Sequence, residues 1–521
     1  MSTRIRTGAL AGIEGLAVTA EVDISRGLPG FHLVGLPGAE VRESRERVLA
    51  ALRHSGSRIP VGKITVNLAP AGIRKEGAFF DLAIALGIVA AGEPPVRDED
   101  RSLRSQALFI GELSLFGELR PVRGLLAIVL AAARMGEKMV VVPEEQAWEA
   151  DLVEGMEVVG ARNLAQVIGW WRTGRLPQTV GGKPGPAPSG AGRGPDVSLT
   201  TLLAGLEGQP QVRKAAVLAA AGGHNLLMVG PPGTGKTRLA RILGQMQPAM
   251  GRTEAMDVTR IHSAAGLLGE ATLMARRPFR APHHTITRAG LIGGGQGPKP
   301  GEVTLAHGGI LFLDELPQFS PGVLDVLREP MEEGFITLVR HPGRHTYPAD
   351  FQLLAAMNPC RCGFLGSTLR PCRCTPAARS RYLSRLSGPL LDRFDLFVEV
   401  GPWQGKFLTR KRPAKRGGLA PEGDPAAWRE SPTEEILVSA RRRLSSWRKV
   451  DVRKFLAPEA AAFLDESRQP LGLSLRGVKR CLSVARTLAA LDQKDQIGRL
   501  QVQEALDFRR EIGPLISEQV W

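Results

Sequence analysis

The chain of 521 residues is long enough for about three or four domains, and its composition, 43% hydrophobic and 23% charged, excludes global disorder and a fibrous fold. Lysine and arginine number 68 against 52 acidic residues. The resulting net charge of +16 favours a polyanionic partner, and nucleic acid is the first class to consider.

The N-terminal part, residues 1–172, shows no export signal and no membrane span. Acidic residues interrupt any apolar core near the start, and the apolar stretches 82–91 and 125–133 fall short of the roughly 20 residues that cross a bilayer. We therefore expect a soluble, cytoplasmic protein. From 173 to 195, twelve of 23 residues are glycine or proline, which predicts a flexible linker.

A phosphate-binding loop follows a short apolar strand predicted at 226–229 and precedes a helix predicted at 238–246. Its glycines let backbone N–H groups surround phosphates at a helix N-terminus. Lys236 is predicted to reach the β and γ phosphates and Thr237 to bind Mg²⁺. The predicted nucleotide-binding residues here are Gly230, Pro231, Pro232, Gly233, Thr234, Gly235, Lys236 and Thr237.

Two carboxylates end the next buried strand, 310–313. Asp314 is predicted to hold the Mg²⁺ shell, and Glu315 to orient or deprotonate the attacking water. With the phosphate-binding loop, this pair predicts ATP hydrolysis in a parallel α/β domain at 196–400. Just before the strand, His283 and His284 are adjacent. Neighbours in an extended chain point to opposite faces, so we expect this insert to contact DNA or another subunit rather than chelate a metal.

A β-hairpin with a basic tip is predicted after residue 333, where alternating apolar residues lead into His-Pro-Gly-Arg. Arg340 and Arg344, with His345 as a weaker candidate, would contact DNA phosphates by charge. A solvated hairpin without a ligand is the alternative. A further apolar strand at 351–357 then places Asn358 at the carboxyl end of the sheet, where α/β folds position ligand-binding residues.

Four of the five cysteines form two Cys-x-Cys pairs shortly after this strand. Residues two apart in an extended chain face the same side, so each pair can present two thiolates to one ion. A closed tetrahedral Zn²⁺ site is the first interpretation, and free thiols or a redox pair are the alternatives. Cys481 is predicted to lie in the core. The candidate zinc ligands are Cys360, Cys362, Cys372 and Cys374.

The C-terminal part, 426–521, follows a basic loop predicted at 401–425. That loop is either solvated or in contact with phosphates. Beyond it, apolar residues at spacings of three and four predict a domain of helices, at 434–447, 458–467, 475–491 and 502–511.

At these motifs the chain resembles the AAA+ ATPases. The resemblance implies that Asn358 is the sensor 1 residue, which helps to position the attacking water. The segment 388–396 resembles the one that carries the arginine finger of Mg-chelatase motors and MCM helicases, which implies that Arg393 acts in the neighbouring subunit's site. Arg476 matches sensor 2, and the hairpin resembles the pre-sensor 1 hairpin of MCM-like rings. A finger in trans implies a ring, and the resemblance implies a homo-hexamer.

Motifs along the whole chain resemble those of the ComM/YifB family of Mg-chelatase-like AAA+ ATPases. The resemblance implies a multidomain α/β protein with an N-terminal Lon protease-like (ribosomal S5-like) α/β domain, a central AAA+ parallel-sheet P-loop domain and a C-terminal helical lid domain. It further implies ATP and Mg²⁺ as cofactors, and DNA branch migration in homologous recombination and natural transformation. The motifs lie at 31–38, 41–47, 64–70, 279–284 and 356–360.

The N-terminal domain departs from its peptidase relatives. It has no serine or threonine at 75–81, where the nucleophile would lie, and no lysine at 117–128, where the base would lie. A Ser/Lys mechanism needs both groups, so we expect a DNA-binding or ring-stabilising role rather than proteolysis. The basic candidates for DNA contact in this domain are Arg42, Arg45, Arg47, Lys63, Arg74 and Lys75.

Two other functions stay open: the ATPase subunit of a metal chelatase-type complex, and a DNA-bound AAA+ scaffold without strand-displacing activity. The basic charge, the Lon-like domain and the cysteine cluster argue against the chelatase. The expected partners are single-stranded, double-stranded and branched DNA, further copies of this chain and recombination proteins. No membrane partner is expected.

Overall fold

A computed structural model describes most of the chain. The predicted linker beyond residue 175, the basic loop beyond 401 and Arg74 lie outside the described residues. The described residues are 2–72, 75–93, 104, 106–175, 199–204, 206, 209–268, 273–295, 299–340, 343–366, 370–401, 428, 433–447 and 450–510.

The N-terminal domain is a seven-stranded sheet with helices packed on it. The strand order is β3-β4-β2-β1-β5-β8-β9, and β1 and β2 form a long antiparallel hairpin, whereas β5, β8 and β9 run parallel. A 3-10 turn at Glu144–Gln146 precedes α4. The elements are β1 (Ser2–Ala11), β2 (Glu14–Ser25), β3 (Gly30–Val34), α1 (Ala39–His54), β4 (Lys63–Ala69), α2 (Asp81–Gly92), β5 (Leu108–Phe109), β6 (Glu112–Leu113), β7 (Leu119–Arg120), α3 (Leu125–Arg134), β8 (Met139–Pro143), α4 (Ala147–Asp151), β9 (Glu157–Ala161) and α5 (Leu164–Thr173).

The core of this domain is built around α2, which is apolar on every side and almost wholly buried. Its Gly87 allows a close approach to the sheet, since a Cβ there would lie 2.6 Å from Cγ2 of Val22. A helix that is hydrophobic all round has to be buried to be stable. The domain therefore has its own core, separate from that of the central sheet.

The structure contradicts two of the proposed DNA contacts, Lys75 and Arg47, because both side chains bind groups within the N-terminal domain. Lys75 is fully buried and its ammonium donates to the carbonyl of Pro70. The guanidinium of Arg47 binds the buried carboxylate of Asp81 at 2.6 Å. A buried acid and its cation form a structural pair, because leaving either partner alone in the interior is costly.

The central domain holds a five-stranded parallel sheet, in the order β11-β14-β17-β10-β18. A 3-10 turn, Leu316–Gln318, follows the Asp-Glu pair. The elements are α6 (Leu199–Ala204), α7 (Pro210–Gly222), β10 (Leu226–Val229), α8 (Lys236–Gln245), α9 (Arg252–Ala265), β11 (Phe279–Arg280), α10 (Arg288–Ile292), β12 (Gly293–Gly294), β13 (Lys299–Pro300), α11 (Glu302–Leu305), β14 (Ile310–Leu313), α12 (Pro321–Asp325), α13 (Pro330–Glu333), β15 (Phe335–Arg340), β16 (Gly343–Pro348), β17 (Gln352–Met357), α14 (Pro376–Leu383), α15 (Gly388–Leu391) and β18 (Leu396–Glu399).

Alternate residues of the central strands face two different cores, which explains why β10, β14 and β17 are apolar throughout. Leu226 and Phe312 belong to the core shared with the C-terminal helices. Leu227 and Leu313 belong to a second core that includes α12 and the start of β15. The sheet is covered on both faces, and its polar chemistry is confined to the ends of the strands.

The C-terminal part is helical, as the sequence predicts. Arg480 binds Asp395 at 3.0 Å, and Thr487 lies 2.8 Å from the ring of His224, so the helices share polar contacts as well as a core with the ATPase sheet. After a 3-10 turn at Val452–Phe455, three of the helices follow one another. The four helices are α16 (Glu434–Trp447), α17 (Pro458–Arg468), α18 (Leu475–Leu491) and α19 (Arg499–Arg510).

The N-terminal domain docks on the central domain through a small apolar cluster at the base of the β15–β16 hairpin. Tyr347 of β16 is fully buried there, beside Ile13 and Ile261. Around this cluster, Arg260 binds Glu14 at 2.7 Å. Within the part of the chain that the structure describes, no helix combines the length and apolar character needed to cross a membrane.

Candidate ATPase site

The phosphate-binding loop joins β10 to α8 at the carboxyl edge of the central sheet. Gly233 and Gly235 have φ of 80° and 91°, in the left-handed region that favours glycine. At Gly230 a Cβ would lie 2.1 Å from the carbonyl oxygen of Val400, so a side chain would force the loop away from the end of β18. Phosphate groups can therefore approach the backbone N–H groups of the loop at the N-terminus of α8.

Lys236 opens α8 and turns its side chain back into the loop. Its ammonium donates to the carbonyls of Gly230 and Pro231, at 2.7 and 2.8 Å, and to Oδ1 of Asn358 at 3.2 Å. Burial lowers the pKa of this ammonium to about 8, against the attraction of Asp314 and Glu315. Phosphate oxygens arriving in the loop would supply negative charge and favour its protonated form.

Thr237 and Asp314 come together beside the loop, where the hydroxyl donates to the carboxylate at 2.7 Å. A hydroxyl and a carboxylate are the hard oxygen donors that Mg²⁺ prefers, and this pair leaves the remaining coordination positions to water and phosphate. The residues present therefore fit a Mg²⁺ ion that bridges the protein and a nucleotide.

Glu315 follows directly and has a left-handed backbone, with φ of 54°. Such a conformation costs a non-glycine residue energy of order 1–3 kcal/mol and is concentrated at functional sites. The turn aims the half-exposed carboxylate toward His284, whose Nδ1 lies 3.6 Å from Oε2 of Glu315. The predicted base, Glu315, therefore has a strained backbone, and its carboxylate faces the imidazole of His284.

The prediction that His283 and His284 point to opposite faces is wrong. The rings of His283 and His284 lie on the same side, with centroids 4.1 Å apart, because the chain turns there instead of continuing as a strand. Both rings line a cleft of about 330 Å³ beside Thr237, Asp314 and Glu315. The insert thus belongs to the nucleotide site. The insert directly follows β11, which pairs in parallel with β14 and therefore ends at the same edge of the sheet as Asp314. This place in the chain could have indicated that the histidines lie near the nucleotide site.

Arg393 and Arg476 meet at one carboxylate. Glu332 of α13 binds Arg393 at 2.6 Å and Arg476 at 3.2 Å through the same oxygen. The resemblance to AAA+ motors implies that Arg393 acts on a neighbouring subunit, yet in the single chain its side chain is only 7% exposed, whereas that of Arg476 is 61% exposed. Action in trans therefore requires Glu332 to release Arg393. No sequence motif indicated this carboxylate.

The predicted hairpin is present and regular. Its antiparallel register runs from Phe335–Pro348 to Arg340–Gly343, and residues 341 and 342 at the tip lie outside the described residues. Arg344 is exposed, and His345 is half-buried. The backbone of Arg340 pairs next to the tip.

The four predicted metal-binding cysteines lie together directly after β17. Their sulfur atoms all lie within 4.8 Å of one another, with Sγ–Sγ distances of 3.3 Å for Cys360–Cys362, 3.7 Å for Cys360–Cys372 and 3.6 Å for Cys362–Cys372. No disulfide joins any of the described cysteines. Cys481 is buried in the core of the C-terminal helices, as expected.

Comparison with known sequences covers every domain. The family profile described as magnesium chelatase, subunit ChlI, matches residues 202–407. Profiles described as subunit ChlI of Mg-chelatase and magnesium chelatase, subunit ChlI C-terminal, match residues 20–146 and 438–509. The chain is 39% identical to YifB of Escherichia coli, over 97% of this chain and 96% of that protein. It is also 39% identical to competence protein ComM of Haemophilus influenzae, over 96% of each.

The chain belongs to the ComM/YifB family of Mg-chelatase-like AAA+ proteins. A more distant relative, magnesium-chelatase subunit ChlI-2 of Arabidopsis thaliana, is 28% identical over 38% of this chain and 42% of that protein. The multidomain α/β fold is confirmed, with its central parallel sheet and C-terminal helices. As a ComM/YifB-family protein the chain is of the AAA+ ATPase type, and ATP and Mg²⁺ are the cofactors of that type.

The position of His284 leads to a first prediction for this ComM/YifB-family protein. His284→Ala should lower kcat for ATP hydrolysis by about tenfold with little change in nucleotide affinity, because Glu315 loses the group that its carboxylate faces. A shifted pH profile of kcat would distinguish positioning of the base from a general loss of structure.

Turnover and nucleotide binding, measured from pH 6 to 9, check this. His32→Ala, at an exposed histidine of β3 in the N-terminal domain, is the matched control and should match the parent chain. An unchanged kcat and pH profile in His284→Ala would show that the imidazole does not affect Glu315.

Proposed function

We propose that the chain is an ATP-driven DNA motor, a homo-hexamer that promotes branch migration during homologous recombination and natural transformation. The observation that carries the proposal is the place of the basic hairpin. It lies in the chain between Asp314-Glu315 and Asn358: α13 leads into its first strand, and its second strand is followed by β17, which ends just before Asn358.

Hydrolysis follows from the groups at the carboxyl edge of the central sheet. Lys236 would bind phosphate oxygens in place of the loop carbonyls, and Asn358 would orient the water. Glu315 would accept the proton of this water as its oxygen attacks the γ phosphorus, while the bond from that phosphorus to the β-phosphate oxygen breaks and ADP leaves. Thr237 and Asp314 would hold Mg²⁺, which would supply positive charge to offset that of the phosphates.

The hydrolytic residues and the DNA-contacting hairpin are connected by a shared hydrophobic core. Ile336 near the start of the hairpin is buried in the core that also contains Leu313 and Met357, the last residues of β14 and β17. Those two strands end at the catalytic residues. A displacement of their ends on phosphate release would therefore reach the hairpin through the side chains of this shared core, because closely packed interiors transmit strain. The exposed Arg344 would pass the movement to a DNA phosphate.

The whole-chain charge supports DNA as the partner. A net charge of +16 attracts the phosphate backbone without sequence preference, as a motor that moves along any DNA requires. Similarity to a protein named competence protein ComM supports a role with incoming DNA. Recombination proteins are the expected partners in that setting.

Two alternatives make different predictions. A chelatase-type ATPase subunit is favoured by the three matching profiles, although the plant subunit matches only 38% of the chain. Its ATPase would not respond to DNA. A DNA-bound scaffold would respond to DNA but would not displace strands.

The deciding experiment is branch migration of a synthetic four-way junction, with ATP and Mg²⁺ at modest salt, by the parent chain and by Lys236→Ala. ATP-dependent product from the parent chain alone is expected. DNA-stimulated hydrolysis without product would favour the scaffold, and hydrolysis that ignores DNA would favour the chelatase-type role.

The hairpin is tested in the same assay. Arg344→Ala should reduce the DNA-stimulated rate and the yield of product, whereas Arg58→Ala, at an exposed arginine of the N-terminal domain, should not. Equal loss in both variants would indicate a diffuse charge effect and would remove the hairpin from the mechanism.

A further inference from the structure

The four-cysteine cluster has the dimensions of a metal site. Zinc–sulfur bonds of about 2.3 Å place the corners of a tetrahedron about 3.8 Å apart. The sulfur–sulfur contacts of 3.3, 3.7 and 3.6 Å approach this spacing, and all four atoms fall within 4.8 Å. Four thiolates around one ion form the closed set of a structural zinc, which leaves no position for a substrate.

The cluster lies against the nucleotide site. Cys360 follows Asn358 by two residues, at the end of the strand that carries it. Gly363, between the first cysteine pair and the second, packs on the phosphate-binding loop, where a Cβ would lie 2.7 Å from Cδ of Pro232. Its φ of 86° also favours glycine. The segment held by the cysteines thus contacts the loop directly.

The second cysteine pair leads back to the same asparagine. One residue separates Cys374 from α14, whose Tyr382 places its hydroxyl near the backbone N–H of Asn358. Burial raises the pKa of Tyr382 to about 12, so its hydroxyl stays neutral at physiological pH. Asn358 is therefore reached from both ends of the cysteine segment, by the chain on one side and by a tyrosine on the other.

We propose that Cys360, Cys362, Cys372 and Cys374 bind Zn²⁺, and that the folded zinc segment positions Asn358 and the phosphate-binding loop for ATP hydrolysis. The metal replaces the hydrophobic contacts that so short a segment cannot supply. A zinc ion with four thiolates carries a net charge of −2, and Arg361 and Arg373 lie next to the ligands in the chain to offset it. The positioning half of this inference rests on the proposed ATPase activity, whereas the metal half does not.

The first arm of the test is metal content, which needs no activity. The parent chain and Cys481→Ala, at the cysteine outside the cluster, should each hold about one zinc per chain, and Cys374→Ser should lose it. Replacement by Co²⁺ should give the intense sulfur-to-cobalt absorption of a tetrahedral thiolate site in the parent chain. Absence of metal from the parent chain together with no cobalt spectrum would overturn the proposal.

The second arm measures positioning. Reversible removal of zinc from the parent chain should lower kcat by about tenfold or more, change nucleotide affinity less, and be undone by added zinc. Tyr382→Phe should keep its zinc and still lower kcat, because it lacks the hydroxyl that Asn358 contacts. This variant separates positioning from folding of the segment.

The outcomes are distinguishable. A zinc-free chain that remains folded by circular dichroism and turns over ATP at the parent rate would overturn the positioning role. A chain that holds zinc but hydrolyses no ATP in any condition would reject the proposed function and the positioning role, and would leave the metal site standing.

Discussion

Glu315→Gln is expected to bind ATP and fail to hydrolyse it. Glutamine keeps the size of the side chain and the left-handed turn, but its amide cannot accept the proton of the attacking water. Loss of a general base lowers the rate by about 10²–10⁴. Bound nucleotide, extracted after incubation with ATP, should be almost entirely ATP in the variant and largely ADP in the parent chain.

The matched control for this prediction is Lys236→Ala, which removes the ammonium that donates to the carbonyls of the phosphate-binding loop. It should lose nucleotide binding, so that its failure to hydrolyse has a different cause. If Glu315→Gln turned over ATP at the parent rate, the base would have to be another group, and His284 in the same cleft would be the next to examine.

Arg393→Ala has the second large expected effect. An arginine that neutralises charge on a transferred phosphoryl group contributes about 10³–10⁵ to the rate, so turnover should nearly stop while ATP binding continues. The structure adds a complication, because in the single chain the same side chain is buried and bound to Glu332. Removing it leaves that carboxylate with one fewer partner.

Two further variants separate these effects. Arg393→Ala combined with Glu332→Ala removes both charges, so recovery of turnover in the double variant would assign Arg393 a structural role only. Mixing Arg393→Ala chains with Lys236→Ala chains rebuilds a complete site wherever an intact loop meets an intact arginine. Activity in that mixture, absent from either variant alone, would establish action in trans. Normal turnover by assembled Arg393→Ala would contradict the prediction.

The sequence predicts those parts of the site that are encoded locally. The strand at 226–229, its glycine-rich loop and the next helix are contiguous, and Asp314-Glu315 ends a strand of buried residues. Each motif therefore carries its own geometry. The sequence also predicts the cysteine cluster, because cysteines two residues apart in an extended segment face the same side and the two pairs are close in the chain.

The contacts that sequence reasoning missed depend on long-range packing. Whether Arg47 points to solvent or to Asp81 is decided by a helix 34 residues further on. The pairing of Glu332 with Arg393 joins positions 61 apart, and the local sequence of neither residue indicates it. His284 was misplaced for a related reason: the direction of its ring follows from a turn that the alternation of residues does not reveal.

The docking of the N-terminal domain at Tyr347 bears on how the hairpin could move. The turn between β1 and β2 lies directly over the tyrosine hydroxyl, so close that a Cβ on Gly12 would come within 2.7 Å of it. The ion pair of Arg260 with Glu14 fixes the same turn from the side. The N-terminal domain therefore holds the base of the hairpin in place. If ATP hydrolysis moves the hairpin as proposed, its outer half would bend relative to this base. The load from DNA would be shared with the N-terminal domain.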